Sequence, residues 1–333
     1  MLSTEDSKDI HVQNINPRWN YHPDLPIKVS AVFSWPPKPL KILNWVASSW
    51  LLPSERTVWL VMAFATWLWL LPPIEQMKTL SWDWALFAYL RNLLSAIFVA
   101  TVMHLYFYTF RQQGMRLRYE KRDLIEHSKN RRFTFNSQLL DNMFWTLISG
   151  VTIWTAFEVL YFWGFANGAM PALQWSDNPF WFVALFALIP IWTSIHFYWI
   201  HRMIHWPPLY ELAHSVHHRN IITGPWSGLS MHPVEHLLYY TSILLHLIVA
   251  THPLHLLFHL YLLSLNPMAE HSGYEGLEVK GQNRFDLGNF FHQLHHRHFN
   301  CNYGTAEMPW DKWFGSFHDG TPEASKRIQK RPW

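Results

Sequence analysis

The histidines of this sequence are concentrated in one part of the chain. The segment HFYWIHRMIHWPPLYELAHSVHH, residues 196–218, contains six of them, and 17 of the 22 lie between His196 and His298. Neutral imidazole is the commonest side-chain ligand for metal ions and suits iron, zinc, copper and nickel. The concentration therefore indicates a metal centre, whose chemistry depends on how the histidines are spaced.

Three short motifs give these histidines a helical spacing. HRMIH places His201 and His205 four residues apart, on one face of a helix. Pro207 and Pro208 then end that helix and allow the next one to start at a new angle. Neighbouring histidines on a helix point about 100° apart, so each member of such a pair can face a different metal ion. The pattern HxxHH, which contains such a pair, occurs in HSVHH and HQLHH, as His214, His217, His218, His292, His295 and His296.

The number of histidines fits two metal ions better than one. The three motifs supply eight, and two single histidines, His232 in MHPVEH and His271 in EHSGYE, bring the set to ten. One ion takes about four to six ligands, so ten ligands predict a pair of ions. Spacing alone does not distinguish iron from zinc.

The composition indicates that membrane helices position these motifs. Half of the 333 residues are hydrophobic and only 15% are charged, whereas soluble domains carry about 25% charged residues. Tryptophan, which favours the boundary between water and lipid, occurs 21 times. We therefore predict an all-α fold with about four spanning helices. The apolar windows that approach the required length of about 20 residues are 57–74, 92–110, 142–163 and 178–200.

The distribution of lysine and arginine predicts which side of the membrane carries the histidines. The loop between the second and third windows, RQQGMRLRYEKRDLIEHSKNRR, has eight of these residues, and the neighbouring loops have one or none. Because positive loops stay in the cytoplasm, the fourth window should deliver His201 and the residues after it to that side. We expect a multi-pass protein with a histidine-rich cytoplasmic cap, in the endoplasmic reticulum membrane if the source is a eukaryote.

A fifth apolar stretch, residues 236–269, is too long for one crossing and too short for two. It contains 34 residues without Asp, Glu, Lys or Arg, and as a single helix it would be about 50 Å long. His252 and Pro253 lie near its centre. We interpret it as a re-entrant helical hairpin that returns to the face from which it starts.

Other features of the sequence narrow the class of protein. The net charge of +3 is too small to indicate a nucleic-acid partner. The single cysteine, Cys301, excludes a disulfide bond within the chain. The first 30 residues are polar and charged, so we expect no cleavable signal peptide.

The histidine motifs, taken together, resemble those of a known superfamily. HRMIH, HSVHH and HQLHH, followed by NYG (Asn302–Gly304) and WDKWFGSF (Trp310–Phe317), resemble the fatty acid hydroxylase/sterol desaturase superfamily of membrane-bound di-iron oxygenases. The resemblance covers about residues 142–320. Three segments lie outside the resemblance. They are a polar tail over residues 1–42, the first two spans with the basic cytoplasmic loop over 43–141, and a basic tail over 321–333.

The resemblance implies an O2-dependent oxidoreductase that hydroxylates or desaturates an unactivated C–H bond of a membrane lipid. HRMIH, SMHPVEH and EHSGYE look most like the sterol desaturase and methylsterol oxidase type, which implies a sterol or related lipid in lipid or sterol biosynthesis. A fatty acid or alkylglycerol hydroxylase of the same superfamily stays open, as does the choice between hydroxylation and desaturation. The implied ligands of the two irons are His201, His205, His214, His217, His218, His232, His271, His292, His295 and His296.

The resemblance also implies partners for the metal ligands and for the reaction. Relatives often have an acidic residue upstream of the first motif, where this chain has His196. The His-Pro-Gly-Gly motif of a fused cytochrome b5-type domain does not occur in this sequence. Electrons are therefore expected from NAD(P)H through a separate cytochrome b5-type protein. The residues expected to orient the ligating imidazoles are His196, His236, His298, Asn302, Tyr303 and Asp311.

Two other functions are considered beside the oxygenase. A histidine-rich metal transporter would place its histidines near the middle of the membrane, whereas these motifs flank the apolar windows on one side. A family member without metals would lack motif histidines, and here every motif is intact. The role of Glu158, an acidic residue inside an apolar window, stays open between function and simple pairing.

Overall fold

In the computed structural model of this chain, the described residues are 19–47, 54–126 and 132–330. Helix makes up 61% of the structure. The helices that precede the second histidine motif are α1 (Pro39–Trp45), α2 (Glu55–Trp69), α3 (Trp82–Thr109), α4 (Gln138–Ala166) and α5 (Pro179–Ile204). The later helices are α6 (residues 207–218), α7 (Pro233–Tyr240), α8 (Pro253–Ser264), α9 (Asn266–Glu270), α10 (Phe290–His298), α11 (Trp310–Trp313) and α12 (Pro322–Gln329).

Three helices among the described residues have the length and apolar composition needed to cross a membrane. They are α3, α4 and α5, with 28, 29 and 26 residues, and they contain the second, third and fourth apolar windows. The first window forms α2, which has 15 residues and ends before Pro72 and Pro73. A helix of that length spans about 22 Å, less than the hydrocarbon core of a bilayer at about 30 Å. The predicted total of four spans therefore stays a prediction.

A buried ion pair joins α3 to α4. The guanidinium of Arg91 contacts the carboxylate of Glu158, with side-chain exposures of 5% and 2%. Asn92 donates a hydrogen bond to the other carboxylate oxygen (2.9 Å). Arg91 also donates to the carbonyl of Leu70 (3.2 Å), at the carboxyl end of α2. Glu158 is thus paired with a neighbouring helix, which was one of the two roles left open by the sequence.

The apolar stretch 236–269 forms two helical arms. α7 continues as a 3₁₀-helix over Thr241–Leu247, and α8 starts at Pro253 after a break. The arms meet at one end, where Tyr239 donates to the carbonyl of Leu263 (2.9 Å) and Tyr240 bonds to Ser264 (2.8 Å). This confirms the two-armed shape, whereas its position in a membrane stays a prediction.

The cap contains one element that the helical prediction missed. Gly276–Val279 (β1) and Gln282–Asp286 (β2) form an antiparallel hairpin with Lys280 and Gly281 at the turn, both at positive φ. The prediction of an all-α chain is wrong in this respect. The segment is short and mostly exposed, so its strands carry little of the apolar alternation that identifies a buried strand.

Both predicted tails contain ordered structure that packs on the cap. In the N-terminal tail, Trp19 is buried against Phe290 (ring centroids 5.0 Å apart), and the Ile27 N–H donates to the Asp319 carbonyl (2.9 Å). In the C-terminal tail, α12 buries Ala324 and Ile328. Neither segment has an apolar window long enough for a spanning helix, so the sequence alone indicates tails.

Candidate metal centre

The ends of four helical segments bring the motif histidines together. The N-cap residue of α5 is Asn178, whose side chain accepts the Trp181 N–H (3.0 Å), and the helix ends just before His205. α6 carries the second motif, with a π-helical turn over Tyr210–His214. α9 ends just before His271, and α10 carries the third motif. The histidines form cluster one (His201, His205, His214, His218 and His295) and cluster two (His217, His271, His292 and His296).

All five members of cluster one are buried, and their candidate ligand atoms lie within 4.8 Å of one another. The Nε2 atom of His214 lies 3.1 Å from that of His201 and 3.1 Å from that of His205. The Nε2 atom of His295 lies 3.2 Å from that of His205 and 2.9 Å from that of His218. Nitrogens bound at right angles to one ion at about 2.1 Å are about 3 Å apart, so these separations suit a shared ion.

Cluster two also consists of buried histidines whose ring nitrogens lie close together, and it has four members. The Nε2 atom of His292 lies 3.0 Å from that of His271 and 3.1 Å from that of His296. His217 completes the cluster, and its ring centroid lies 4.7 Å from that of His296. All four side chains are buried.

The paired histidines of the HxxHH motifs point into different clusters. His217 and His218 belong to clusters two and one, and His295 and His296 belong to clusters one and two. Each pair diverges because neighbouring positions on a helix point about 100° apart. The clusters remain adjacent, since the rings of His218 and His296 stack with centroids 4.9 Å apart. The prediction that each neighbour faces its own site is therefore supported by the geometry.

The hydrogen bonds behind the rings show that cluster one suits a cation. The Nδ1 atom of His201 donates to the carbonyl of Tyr303 (2.7 Å), and that of His295 donates to the carbonyl of Cys301 (2.6 Å). A carbonyl oxygen only accepts, so a neutral ring bonded in this way has an unprotonated Nε2. Two such lone pairs then face the same buried space, where they repel each other unless a cation lies between them.

Burial keeps these imidazoles neutral. It lowers the pKa of His217 to about 4, because the charged form would lose its hydration. It also lowers the pKa of His214, His292 and His295 well below the ordinary value, and neighbouring histidines add to the effect. Metal ions bind the unprotonated ring, so both clusters are in a metal-binding state at neutral pH.

One predicted ligand lies outside both clusters. His232 is partly exposed, and its Nδ1 accepts the N–H of Val234 at the start of α7. Its ring packs at 5.9 Å from that of Trp145. The geometry therefore does not support a ligand role for His232. The ring caps a helix instead, because the following Pro233 starts α7 there.

Three of the residues expected to orient ligands make their contacts elsewhere. His196 bonds to Thr241 (2.9 Å). His236 bonds to Ser149 (2.8 Å) and to the carbonyl of Leu229 (3.2 Å). The ring of His298 stacks on that of His318, at 4.7 Å. None of these contacts reaches a described ligand of either cluster.

The other three contact a candidate ligand or the backbone of a segment that holds one. Asp311 accepts the N–H groups of Tyr303 (2.8 Å) and Gly304 (2.7 Å), and so fixes the loop whose Tyr303 carbonyl holds His201. Asn302 donates to the carbonyl of Phe291 (3.0 Å), one residue before His292. Such partners set the tautomer and the direction of a ligating ring.

Glu235 is a partner of the candidate metal centre that the sequence reasoning missed. A hydrogen bond joins its Oε1 atom to Nδ1 of His214 (2.7 Å), and both side chains are buried. Its other oxygen, Oε2, is buried without a hydrogen-bond partner among the described residues. The motif MHPVEH contained the signal, because its acidic residue lies three positions after His232 and directly precedes the apolar stretch 236–269.

Glu235→Gln is expected to weaken metal binding by cluster one about 10- to 100-fold, and Glu235→Ala at least as much, because His214 loses the carboxylate that orients it. Titration of the apoprotein with ferrous iron measures the change. Glu211→Gln, an exposed acid on α6, is the matched control. Unchanged iron affinity in both Glu235 variants would refute this role.

A cavity of about 300 Å³ adjoins both clusters. His201 and His214 of cluster one and His217, His271 and His292 of cluster two line it. Its apolar wall is formed mainly by Pro190, Phe197, Ile200, Ile204, Met231 and Leu262. A hydrocarbon can therefore lie against both candidate metal sites.

The comparisons with known proteins agree with this site. Residues 186–316 match the model of the fatty acid hydroxylase family. The chain is 30% identical over 145 residues to a Delta(7)-sterol 5(6)-desaturase of Gibberella zeae, which is 43% of this chain and 44% of that protein. It is 31% identical over 144 residues to the Delta(7)-sterol 5(6)-desaturase of Saccharomyces cerevisiae, or 42% of this chain and 39% of that protein.

These matches have a limited extent. The chain spans less than half the length of the curated relatives named above. No solved structure matches it significantly. The matched family segment begins within α5 and ends after α11, so it contains all nine clustered histidines. The family match over residues 186–316, the similarity to sterol desaturases and the intact histidine motifs support the fatty acid hydroxylase/sterol desaturase superfamily for this chain.

Proposed function

We propose that this protein is a membrane-bound di-iron oxidoreductase that uses O2 to hydroxylate or desaturate an unactivated C–H bond of a membrane lipid. The observation that carries the proposal is the pair of buried histidine clusters beside one cavity with an apolar wall. A hydrocarbon bound in that cavity would lie next to both ions, as oxidation of an unactivated bond requires.

The residues of the chain have distinct tasks in this reaction. The nine clustered histidines would hold two iron ions, which when bound supply the activation of O2. The Tyr303 and Cys301 carbonyls and Glu235 hold three of the rings in place. The apolar wall of the cavity binds the hydrocarbon and excludes water from the reacting carbon.

A sterol or a related lipid is the substrate class that we favour. The relatives named above are Delta(7)-sterol 5(6)-desaturases by name, and the cavity beside the clusters has an apolar wall. A fatty acid or an alkylglycerol is the alternative within the superfamily. Hydroxylation and desaturation both start at the same C–H bond, and the position of the substrate in the cavity decides between them.

The proposal includes a location and an electron source. The cap lies on the cytoplasmic side, because the loop between α3 and α4 is rich in lysine and arginine. In a eukaryote the membrane is that of the endoplasmic reticulum. Electrons come from NAD(P)H through a separate cytochrome b5-type protein.

The proposal is tested by supplying the iron-loaded protein, in mild detergent, with O2, a reductant and a panel of sterols, alkylglycerols and fatty acyl lipids. We expect one lipid class to gain an oxygen atom or lose a pair of hydrogen atoms, as measured by mass spectrometry. The His292→Ala variant is the inactive control. Absence of any O2-dependent product from iron-loaded protein across the panel would contradict the proposal.

A further inference from the structure

The apolar stretch 236–269 contains a pair of buried histidines that belong to neither metal cluster. His246 and His259 are each 0% exposed, and both lie outside clusters one and two. The Nε2 atom of His246 lies 3.1 Å from Nδ1 of His259, so one ring donates a hydrogen bond to the other. Because the stretch has no Asp, Glu, Lys or Arg, histidines are the residues there that can carry a proton near neutral pH.

Hydroxyl groups extend this pair in both directions. At one end, Nδ1 of His246 bonds to Oγ1 of Thr251 (2.9 Å). At the other end, Nε2 of His259 bonds to Oγ1 of Thr193 (3.1 Å) and to Oγ of Ser242 (3.0 Å). These contacts form a continuous series of hydrogen bonds from Thr251 through both rings to Thr193, here called the histidine path.

The two ends of the histidine path lie in different parts of the fold. Thr193 lines the cavity beside both metal clusters. Thr251 is buried, and its carbonyl accepts the N–H of Leu173 (3.2 Å) in the loop before α5, where Ala172 is exposed. That loop lies at the opposite end of α5 from His201. The histidine path therefore links the cavity to the far end of the helix that carries the first motif.

Among the described partners of the histidine path, none fixes the direction of its hydrogen bonds. A hydroxyl group can donate or accept, and a neutral imidazole donates from one nitrogen and accepts at the other. His246 and His259 can therefore both carry the proton on Nε2, pointing toward the cavity, or both on Nδ1, pointing toward Thr251. Thr193, which also donates to a backbone carbonyl (2.9 Å), suits the first state, and Ser242 can donate to Nε2 of His259 in the second.

We propose that the histidine path is a proton relay that supplies the cavity during lipid oxidation. This inference rests on the proposed function, because it concerns the reaction of that site. A proton that arrives at Nδ1 of His246 from the Thr251 end releases the proton on Nε2 to His259. The same exchange at His259 then passes a proton to Thr193. Return of both rings to the Nε2–H form resets the relay.

Both of the proposed reactions consume protons. O2 takes two electrons from the donor protein and two from the substrate. Hydroxylation uses two protons to give the alcohol and one water molecule, and desaturation uses two protons to give the double bond and two water molecules. The apolar wall of the cavity keeps bulk water from the reacting carbon, so these protons need a defined route.

The cavity itself covers the last part of this route. Thr193 and His201 both line it and are separated by eight residues of α5, or about 12 Å along the helix. Ser194 and Thr305, whose hydroxyl groups lie 3.0 Å apart, line the cavity as well. Water held by hydroxyl groups can pass a proton from Thr193 toward the clusters.

The ring tautomers test the relay without turnover. Nitrogen NMR of isotope-labelled histidine, in full-length protein loaded with zinc, distinguishes Nδ1–H from Nε2–H rings. We expect both tautomers at His246 and at His259, but one at His255, whose Nε2 donates to a backbone carbonyl (2.8 Å). Thr251→Val removes the acceptor that an Nδ1–H ring at His246 needs, so both rings of the path should become Nε2–H. A single tautomer at both positions in wild-type protein would overturn the inference.

Breaking the histidine path should slow turnover and leave the metal ions in place. The side chain of His259→Gln can form hydrogen bonds but cannot pass a proton between two ring nitrogens, so kcat should fall at least about 10-fold. The KM for the lipid and the iron content should not change. His255→Gln, one turn earlier on α8, is the matched control. A wild-type kcat in folded, iron-loaded His259→Gln would refute the relay.

Substitutions of Thr193 separate proton transfer from packing. Thr193→Val removes the hydroxyl group at nearly constant shape, whereas Thr193→Ser keeps it. We expect kcat of the serine variant to exceed that of the valine variant several-fold. The ratio of kcat in H2O to kcat in D2O should be larger for the valine variant, because proton delivery then limits its rate. Equal kcat values and equal isotope ratios in the two variants would contradict the relay.

The outcome is separable from that of the oxygenase proposal. If the wild-type protein oxidises no lipid, the proposed function fails, and NMR still decides whether the histidine path can reverse its direction. Lipid oxidation at the wild-type rate in both His259→Gln and Thr193→Val would support the oxygenase and refute the relay.

Discussion

Replacing His218 with alanine is expected to lower the iron content of the protein from about two ions per chain to about one, and to abolish lipid oxidation. His217→Ala should have the same effect on the other ion. The two residues are neighbours in sequence but belong to different clusters, so each substitution removes a ligand from one site only. Elemental analysis and Mössbauer spectroscopy of protein loaded with enriched iron measure the remaining ion.

The remaining ions should differ between the two variants. His218→Ala leaves the four histidines of cluster two, and His217→Ala leaves the five of cluster one, so their Mössbauer spectra should be distinct. His298→Ala is the matched control, because that ring stacks on His318 outside both clusters. Loss of both ions in a folded variant, or of neither, would contradict the division into two separate sites.

Removing one partner of the ion pair between α3 and α4 is expected to destabilise the protein strongly. Arg91→Met leaves the carboxylate of Glu158 buried with only Asn92 as a described hydrogen-bond donor. Such an uncompensated buried charge costs about 3–5 kcal/mol of unfolding free energy. The midpoint of thermal unfolding in mild detergent should fall accordingly.

The double variant Arg91→Met/Glu158→Leu separates loss of charge pairing from loss of packing. Replacing both partners by apolar side chains removes the unpaired charge, so most of the stability should return. Arg284→Met, at an exposed position on β2, controls for the loss of a surface arginine. An Arg91→Met protein as stable as wild type would show that the pair contributes little.

Helical spacing explains why most of the clustered histidines of the candidate metal centre could be identified from the sequence. In a repeated HxxHH motif the angle between neighbouring residues is fixed by the helix, so the assignment of His217 and His218 to different sites follows from local geometry. His232 has no motif partner to set its direction, and the proline after it converts the position into a helix cap. His271 is also a single histidine, yet it lies in cluster two, so an isolated histidine does not indicate by itself whether it is a ligand.

The missing parts of the site depend on contacts between distant segments. Glu235 reaches His214 across 21 positions of sequence, and Arg56 pairs with Glu307 beside the same cavity across 251 positions. No local sequence pattern predicts such long-range contacts. The packed residues of the tails, such as Trp19, were missed for the same reason.

Among the apolar windows, three form helices of the predicted length and one forms a shorter helix. The windows around α3, α4 and α5 were long and apolar, and length and composition are enough to find them. The window around α2 was apolar too, but Pro72 and Pro73 end its helix early. The window 57–74 therefore included residues that lie in the loop after α2.

The most direct test is the iron content of the wild-type protein, purified in mild detergent and loaded with ferrous iron without oxygen. We expect about two tightly bound irons per chain, because two separate groups of buried histidines are present. Zinc bound after expression should be replaceable by iron at the same stoichiometry. A folded protein that binds no iron, or only one ion per chain, would contradict a di-iron centre.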